Sequence, residues 1–355
     1  MKTSKKMYPA RHYFLLIIPL ALMFLIAVLI SGKSLKTGPS SAGQDSGHLL
    51  RPVATYSIVA YDRETGQLGV AVQSHWFSVG SIVSWAESGV GAVATQSFVD
   101  PSYGPLGLAM MRAGKTAEEA LAGLLRSDRT PEVRQVAMVD AAGRVAVHTG
   151  KKCIAEAGHF QGDGFSCQAN MMLKKTVWEA MARVYQSTRG ELVDRLLAAL
   201  EAAEKEGGDI RGKQSAAILV VSGKSSGVWW KDRIYDLRVE DHPEPVEELK
   251  RLVRIAKAYN HMNRGDEFMT ENKVREALEE YRRAMELYSG NPEMIFWPAV
   301  TMAASGQVEE SLPLFKKVFE ADPNWALLLE RLPGVGQFPN DRSLLRKILQ
   351  QKPKK

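Results

Sequence analysis

Two cysteines and seven histidines in 355 residues leave this chain few metal ligands and few redox groups. The histidines stand singly, with no HExxH or His–Cys spacing, and neither Cys153 nor Cys167 has a CxxC partner. No metal site is therefore expected, and no cofactor. A glycine–lysine phosphate-binding loop of the Walker type is also missing. Beyond Arg51 there is no excess of either charge. The formal net charge of +6 is accounted for by Lys2, Lys5, Lys6, Arg11, Lys33, Lys36 and Arg51 against Asp45, and the remainder is balanced. Nucleic-acid binding needs Lys and Arg concentrated opposite phosphates, so nucleic acid is not an expected partner.

What is present begins with an unbroken apolar run, Phe14 to Ile30, behind four basic residues and no acidic ones. Roughly twenty apolar residues span a bilayer, and with Tyr13 and Ser31 this run suffices. It reads as a single-pass anchor with the N-terminus in the cytoplasm and the remainder outside. The competing reading is a signal peptide cleaved to leave a secreted or periplasmic protein, but SGKSLK after Ile30 is a poor cleavage site. Residues 1–31 are thus assigned to the tip and anchor. Residues 32–54, small and polar with no period, are assigned to a flexible stalk. In an oxidising compartment Cys153 and Cys167 are a candidate disulfide across the turn GHFQGDG, with two free thiols as the alternative.

Alternation begins at Thr55. Tyr56, Ile58 and Ala60, then Leu68, Val70 and Val72, mark two half-buried strands around a Thr65-Gly66 turn. A third strand-like run, Gly89 to Ser97, leads into YGPLGLAMMRAG and then TAEEALAGLLRSD, where Thr116 and Glu119 form a capping box. RQVAMVD and RVAVHTG make a hairpin around Ala141, Ala142 and Gly143. A helical region over about 174–206, broken near Gly190, ends at Gly207-Gly208. SAAILVVS and SGVWWKDRIYDLRV read as closing strands, the second alternating unevenly. Strands and helices grouped in this way do not suit a doubly wound βαβ sheet. They suit an α+β sandwich with paired helices outside.

Residues 244–355 read as all-helical. DHPEPVEELKRLVRIAKAYNHM opens with a proline-rich link and continues as a helix with Val246, Leu249, Leu252, Val253 and Ala256 on one face. Ala277, Tyr281 and Ala284 then recur as Ser311, Phe315 and Val318, a period of about 34 residues, with Gly265 and Gly306 at turn or close-packing positions. This pattern resembles the tetratricopeptide repeat, whose concave face offers a groove for a protein partner.

Several polar residues fall at strand ends. Ser74 and His75 close the second strand, on the Thr55 end of a simple hairpin. Gln96 ends the third, with Asp100 and Tyr103 in the loop beyond. Asp209, Arg211, Gln214 and Ser215 lead into an apolar strand, as a helix cap and loop salt bridge or as the rim of a site.

The segments ATYSIVAYD, LGVAVQSHWFSVG, GVGAVATQS, YGPLGL, GKTAEEAL, RQVAMVD, HTGKKC, GDIRGKQSAAILVV and DLRVEDHPEPVEEL resemble, in that order, the DUF1028 family of unknown function. The resemblance runs from Thr55 to about Leu249. It implies a domain over 55–243 with the four-layer αββα sandwich of the N-terminal nucleophile hydrolases, and a candidate chemistry rather than a substrate. In that chemistry a Thr, Ser or Cys freed at its own amine acts as nucleophile, with the amine as base. Carried onto this chain, the nucleophile is Thr55, which follows Ala54 and needs a cut between the two. Ser74 and His75 are then candidates to orient it, and Asn170 to donate to the oxyanion. Gln96, Asp100, Tyr103, Asp209, Arg211, Gln214 and Ser215 are candidates to contact substrate. The expected substrate is a peptide, an amide or a small molecule derived from the cell wall, and a homo-oligomer is compatible with the pattern. The rival expectation is a catalytically silent binding module that uses the cleft and the helical repeats to recognise a protein or cell wall.

Overall fold

Thr55 opens one of the two central strands of a six-stranded sheet that is covered on both sides. The computed structural model describes Val53 and residues 55–353. The run Phe14 to Ile30, the stalk up to residue 52 and Ala54 lie outside the described residues, whereas Val53, assigned above to the flexible stalk, is buried and paired with Ser97. Among those described, no helix is long and apolar enough to cross a membrane.

The first strands are β1 (Thr55–Tyr61) and β2 (Leu68–Ser74), followed by a short helix α1 (Gly80–Val83) and strands β3 (Ser84–Glu87) and β4 (Gly91–Ser97). Helices α2 (Tyr103–Arg112) and α3 (Ala117–Ser127) come next, then the hairpins β5 (Arg134–Asp140) with β6 (Val145–Thr149) and β7 (Gly158–Gly162) with β8 (Phe165–Asn170). Helices α4 (Val177–Ser187) and α5 (Leu192–Glu206), strand β9 (Ser215–Val221), short helix α6 (Trp229–Asp232) and strand β10 (Arg233–Val239) complete this part. Two antiparallel sheets result, one ordered β10-β9-β2-β1-β8-β7 and the other β3-β4-β5-β6.

Three apolar clusters define four layers. Val59, Val70 and Val72 of the larger sheet meet Ala92, Ala94, Ala137 and Val139 of the smaller one, which makes the space between the sheets a core. Tyr56, Ile58 and Ala71 on the other face of the larger sheet pack against α4, α5 and the sequence that follows β10. Val93, Val136 and Met138 on the outer face of the smaller sheet pack against α2 and α3. β1 and β2 are therefore buried on both faces rather than half-buried as the alternation suggests. In a sandwiched sheet the two alternating sets face two different cores, so neither can be polar throughout. The helix layer lies close: a Cβ on Gly69 would come within 2.6 Å of Leu196 Cδ1.

Local chemistry explains the boundaries. Thr116 Oγ1 accepts from Glu119 N at 3.1 Å while a Glu119 carboxylate oxygen accepts from Thr116 N at 2.9 Å, closing the capping box of α3. The helical region beyond Asn170 breaks as expected, with Gly190 at φ 106° between α4 and α5 and Gly207 at φ 125° after α5. The uneven run SGVWWKDRIYDLRV is only partly strand. Trp229–Asp232 form a helical turn, and a register shift between Arg233 and Tyr235 starts β10 with a bulge. The short strand β3 was not apparent in the sequence.

Helices α7 (Pro245–Thr270), α8 (Val274–Leu287), α9 (Glu293–Ala304), α10 (Val308–Ala321), α11 (Asn324–Arg331) and α12 (Arg342–Leu349) follow. α7 belongs to two cores. Its Val246, Leu249 and Val253 pack on the larger sheet's helix layer, while Ala258 and Met262 join Ala277, Tyr281 and Ala284 of α8. The positions paired by the repeat are buried in both copies, Ala277, Tyr281 and Ala284 as well as Ser311, Phe315 and Val318. Gly265 lies against the Tyr281 ring, where a Cβ would come within 2.3 Å of it, so close helix packing requires a glycine.

The cysteines are not bonded to each other. Cys167 is wholly buried in the core beneath α4 and α5, on the outer face of β8, and burial pushes its thiol up well above the ordinary value. Cys153 lies in the loop after β6, half-buried, with its thiol 3.4 Å from the Arg134 carbonyl. The alternation of β8 directs Cys167 away from that loop, which removes the disulfide that the spacing allowed.

Candidate active site

The register of β1 assembles the site. Thr55 pairs with Ser74 on one side and with Asn170 on the other. Because alternate residues share a face, Thr55, Ser57, Ser74, Ser166, Gln168 and Asn170 all reach the space between the sheets. Gln96 of β4 and Gln135 of β5 reach into it from the opposite sheet, and all eight are wholly buried.

Buried amides and hydroxyls need partners, and here they find them mostly in one another. Ser57 Oγ donates to Gln96 Oε1 at 2.6 Å and accepts from Gln168 Nε2 at 2.6 Å. Gln96 Nε2 lies 2.7 Å from Gln135 Oε1 and 3.2 Å from the Thr55 carbonyl oxygen. Asn170 Nδ2 lies 3.0 Å from Gln135 Oε1 and 3.4 Å from that same Thr55 carbonyl. Gln135 Nε2 reaches Ala169 O and Thr149 Oγ1, both at 2.9 Å, and Gly158 O at 3.1 Å. The backbone of Thr55 is thus gripped by two carboxamides, one from each sheet. Asn170, expected as an oxyanion donor, spends its amide hydrogens on this grip, while its Oδ1 meets no partner among the described residues.

The Thr55 hydroxyl donates to the Val53 carbonyl at 2.8 Å and lies 3.3 Å from Ser74 Oγ. Val53 itself is bonded to the smaller sheet: its N–H donates to Ser97 O at 2.7 Å and its carbonyl accepts from Ser97 N at 3.1 Å. The chain therefore passes from β4 of one sheet to β1 of the other within two residues of Thr55.

The remaining sequence candidates divide between two other places. His75, one residue past Ser74, joins the loop before β9: its N–H donates to Asp209 Oδ2 at 3.1 Å and its Nδ1 lies 3.3 Å from Lys213 O. Arg211 holds the buried Asp209 carboxylate from both sides, through Nε at 3.1 Å and Nη2 at 2.9 Å. Gln214 donates to Asp241 at 3.2 Å, and Ser215 Oγ donates to Trp76 O and accepts from Val79 N at 3.1 Å. These residues tie loops together beside the Thr55 end of the sandwich. The neighbouring Tyr56 hydroxyl, on the outer face of β1, donates to Glu204, and burial together with that carboxylate raises its pKa well above the ordinary value.

Asp100 and Tyr103 lie elsewhere. Asp100 Oδ1 accepts from Ser102 N at 2.9 Å ahead of α2. Tyr103, in the core outside the smaller sheet, donates to Asp128 at 3.0 Å. Burial alone would raise the Asp128 carboxyl, but hydrogen bonds from Arg134, Thr130 and Tyr103 prevail and lower it to about 2. This group is a clamp between α3 and β5, remote in role from Thr55.

Sequence reading missed Ser57, Gln135, Ser166 and Gln168. A signal existed in β8, where Ser166, Gln168 and Asn170 alternate with Phe165, Cys167 and Ala169. Such a strand usually turns its polar side to water, but here a second sheet covers it. The expectation that the chain has no GxSxG elbow, and so no serine-esterase nucleophile of that kind, overlooks Gly223 to Gly227, which has that spacing. Ser225 there donates to Asp232 at 2.9 Å in the loop after β9, at the opposite end of the sandwich, and no long helix follows it.

A model of a family of unknown function, DUF1028, matches residues 55–249. The crystal structure of a DUF1028 protein from Silicibacter pomeroyi is similar at 29% identity and a TM-score of 0.51, covering 57% of this chain and 89% of that one. No curated protein matches.

Proposed function

We propose that this chain, which belongs to the DUF1028 family of unknown function, is an amide hydrolase of the N-terminal nucleophile type with Thr55 as nucleophile. The observation that carries the proposal is the place of Thr55. It stands at the head of one of the two central strands of the larger sheet, on the face that meets the smaller sheet, its hydroxyl beside Ser74 and its carbonyl held by Gln96 and Asn170. Buried carboxamides cost desolvation, and seven polar side chains gathered beside one threonine, two of them on its backbone carbonyl, exceed what packing two sheets requires.

In this reading the Ala54–Thr55 bond is cut. The freed α-amine, with a pKa near 8, is partly neutral at physiological pH and takes the hydroxyl proton as Oγ1 attacks an amide carbonyl. The proton passes to the leaving amine, and water hydrolyses the ester under the same base. Gln96 and Asn170 act as positioning residues that fix the threonine backbone while its amine changes hands. Phe14 to Ile30 is proposed to anchor the protein, with the hydrolase outside the cytoplasm and the cut releasing it.

A second reading, a silent binding module, is favoured by a cavity of about 600 Å³ in the helical region, lined by Asp266, Met269, Tyr281, Trp297 and Thr301 among others. A peptide or protein partner would suit its mixed lining.

Intact-mass and N-terminal analysis of the protein from a membrane-bearing host, beside Thr55→Ala, separates the two. A species beginning at Thr55 in the wild type and missing in the variant is the expected result. Chains that keep Met1 in both would sink the nucleophile and leave the binding module.

A further inference from the structure

Val53 shows what the proposed nucleophile would accept. It is the residue before Ala54, and it forms one antiparallel rung with Ser97 through two backbone hydrogen bonds of 2.7 and 3.1 Å. It is 1% exposed, its side chain part of the apolar cluster between the sheets, and its carbonyl receives the Thr55 hydroxyl. An extended residue two positions ahead of Thr55 is thus read twice, by backbone pairing to β4 and by an apolar environment.

The surroundings have the same character. Four exposed apolar side chains, Phe77, Ile154, Leu173 and Ile210, stand on four loops at this end of the sandwich. Met171 joins three of those loops, since its N–H donates to Ile154 O at 3.0 Å and its carbonyl accepts from Ile210 N at 3.2 Å. No charged side chain forms part of the buried set around Thr55 itself, and the nearby Asp209 is already neutralised by Arg211.

We infer that the slot filled by Val53 beside Ser97 is the acyl-side subsite of Thr55, and that the substrate is a peptidyl amide with a branched aliphatic residue before a small residue at the scissile carbonyl. The inference rests on Thr55 being the nucleophile and follows from chemical identity. In self-processing, Thr55 Oγ1 loses its proton and bonds to the Ala54 carbonyl carbon, the Ala54–Thr55 C–N bond breaks, and the nitrogen takes up that proton beside its own to become the new α-amine. The resulting ester carries Val53-Ala54 as its acyl group, and water releases it as a carboxylate. A substrate whose acyl side ends in Val-Ala forms the same ester on the same oxygen, its own C–N bond breaking and its amine leaving with the proton. The slot that holds Val53 therefore fits a substrate that presents the same residue at that position. Departure of Val53 frees the Ser97 N–H and C=O to pair with the incoming strand.

The test uses full-length protein processed in a membrane-bearing host and the N-acetyl dipeptide p-nitroanilides of Val-Ala, Gly-Ala and Asp-Ala. A hydrophobic pocket gains about tenfold or more per well-placed alkyl group, so kcat/KM is expected to fall at least tenfold from Val to Gly and further to Asp. In the unprocessed chain, Val53→Asp is expected to slow formation of the Thr55-starting species. A Thr55-starting protein that hydrolyses the three amides equally overturns the subsite and leaves Thr55 standing as nucleophile. A chain that is never cut overturns both.

Discussion

The two halves of the layer between the sheets lie at the same depth in the same sandwich, yet one is built from Val59, Val70, Val72 and Val139 and the other from Thr55, Ser57, Gln96, Gln135, Gln168 and Asn170. The apolar half needs only shape, and each side chain contributes independently of its neighbours' orientation. The polar half holds only while each amide is met by another, so its members stand or fall together. Stability alone would be served as well by valine throughout. The polar half marks where the molecule keeps a threonine backbone in one fixed pose.

The sharpest way to break this comparison is Gln135→Met. It removes partners from Gln96, Asn170, Thr149 and two backbone carbonyls at once, and should cost about 3–4 kcal/mol in urea unfolding. Val139→Ala in the apolar half should cost about 2 kcal/mol through lost burial and a small cavity. If the two variants cost the same, the halves are energetically alike and the network argument fails.

Acid provides a control outside this layer. The Asp128 carboxyl is lowered to about 2 in the folded protein, below its ordinary value near 4, so its stabilisation is full above pH 4 and is lost as pH falls towards 2. It amounts to roughly 2 kcal/mol. Asp128→Asn should flatten the acid limb of the stability profile in that window, whereas Gln135→Met should leave the shape of that limb unchanged.

Gln73, on the outer face of β2, gives the smallest effect and the finest distinction. It too is wholly buried, but neither of its amide atoms meets a partner among the described residues. Gln73→Met should be neutral or stabilising by up to about 1 kcal/mol, the reverse of the same change at Gln135. A large loss at both glutamines would show that burial of the amide, rather than its bonding, decides the outcome.

Much of the frame was legible because it depends on neighbours in the chain. The Thr65-Gly66 turn, the α3 capping box and the glycines after α5 act over a few residues, and each stands where its local chemistry puts it. The helical region was legible for the same reason, since Ala277, Tyr281 and Ala284 bury one face of one helix. The site was only half legible. Thr55, Ser74, Gln96 and Asn170 could be named from strand ends, but His75, Asp100 and Tyr103 looked equally good and belong to other clusters. Alternation along β2 explains the nearest miss, for it brings Ser74 to Thr55 and leaves His75 bonded to the loop that carries Asp209.

The sequence by itself determined the strands, the caps, the breaks and the apolar faces, because periodicity and turn chemistry are properties of adjacent residues. Tertiary structure decided which polar faces meet. Gln135 is 80 residues from Thr55 in the chain, and nothing local to either says that a second sheet will close over β1 and turn two strands' polar sides into one buried network. Hydrogen bonds between side chains reach about 3 Å, so only the stacking of the sheets could choose those partners.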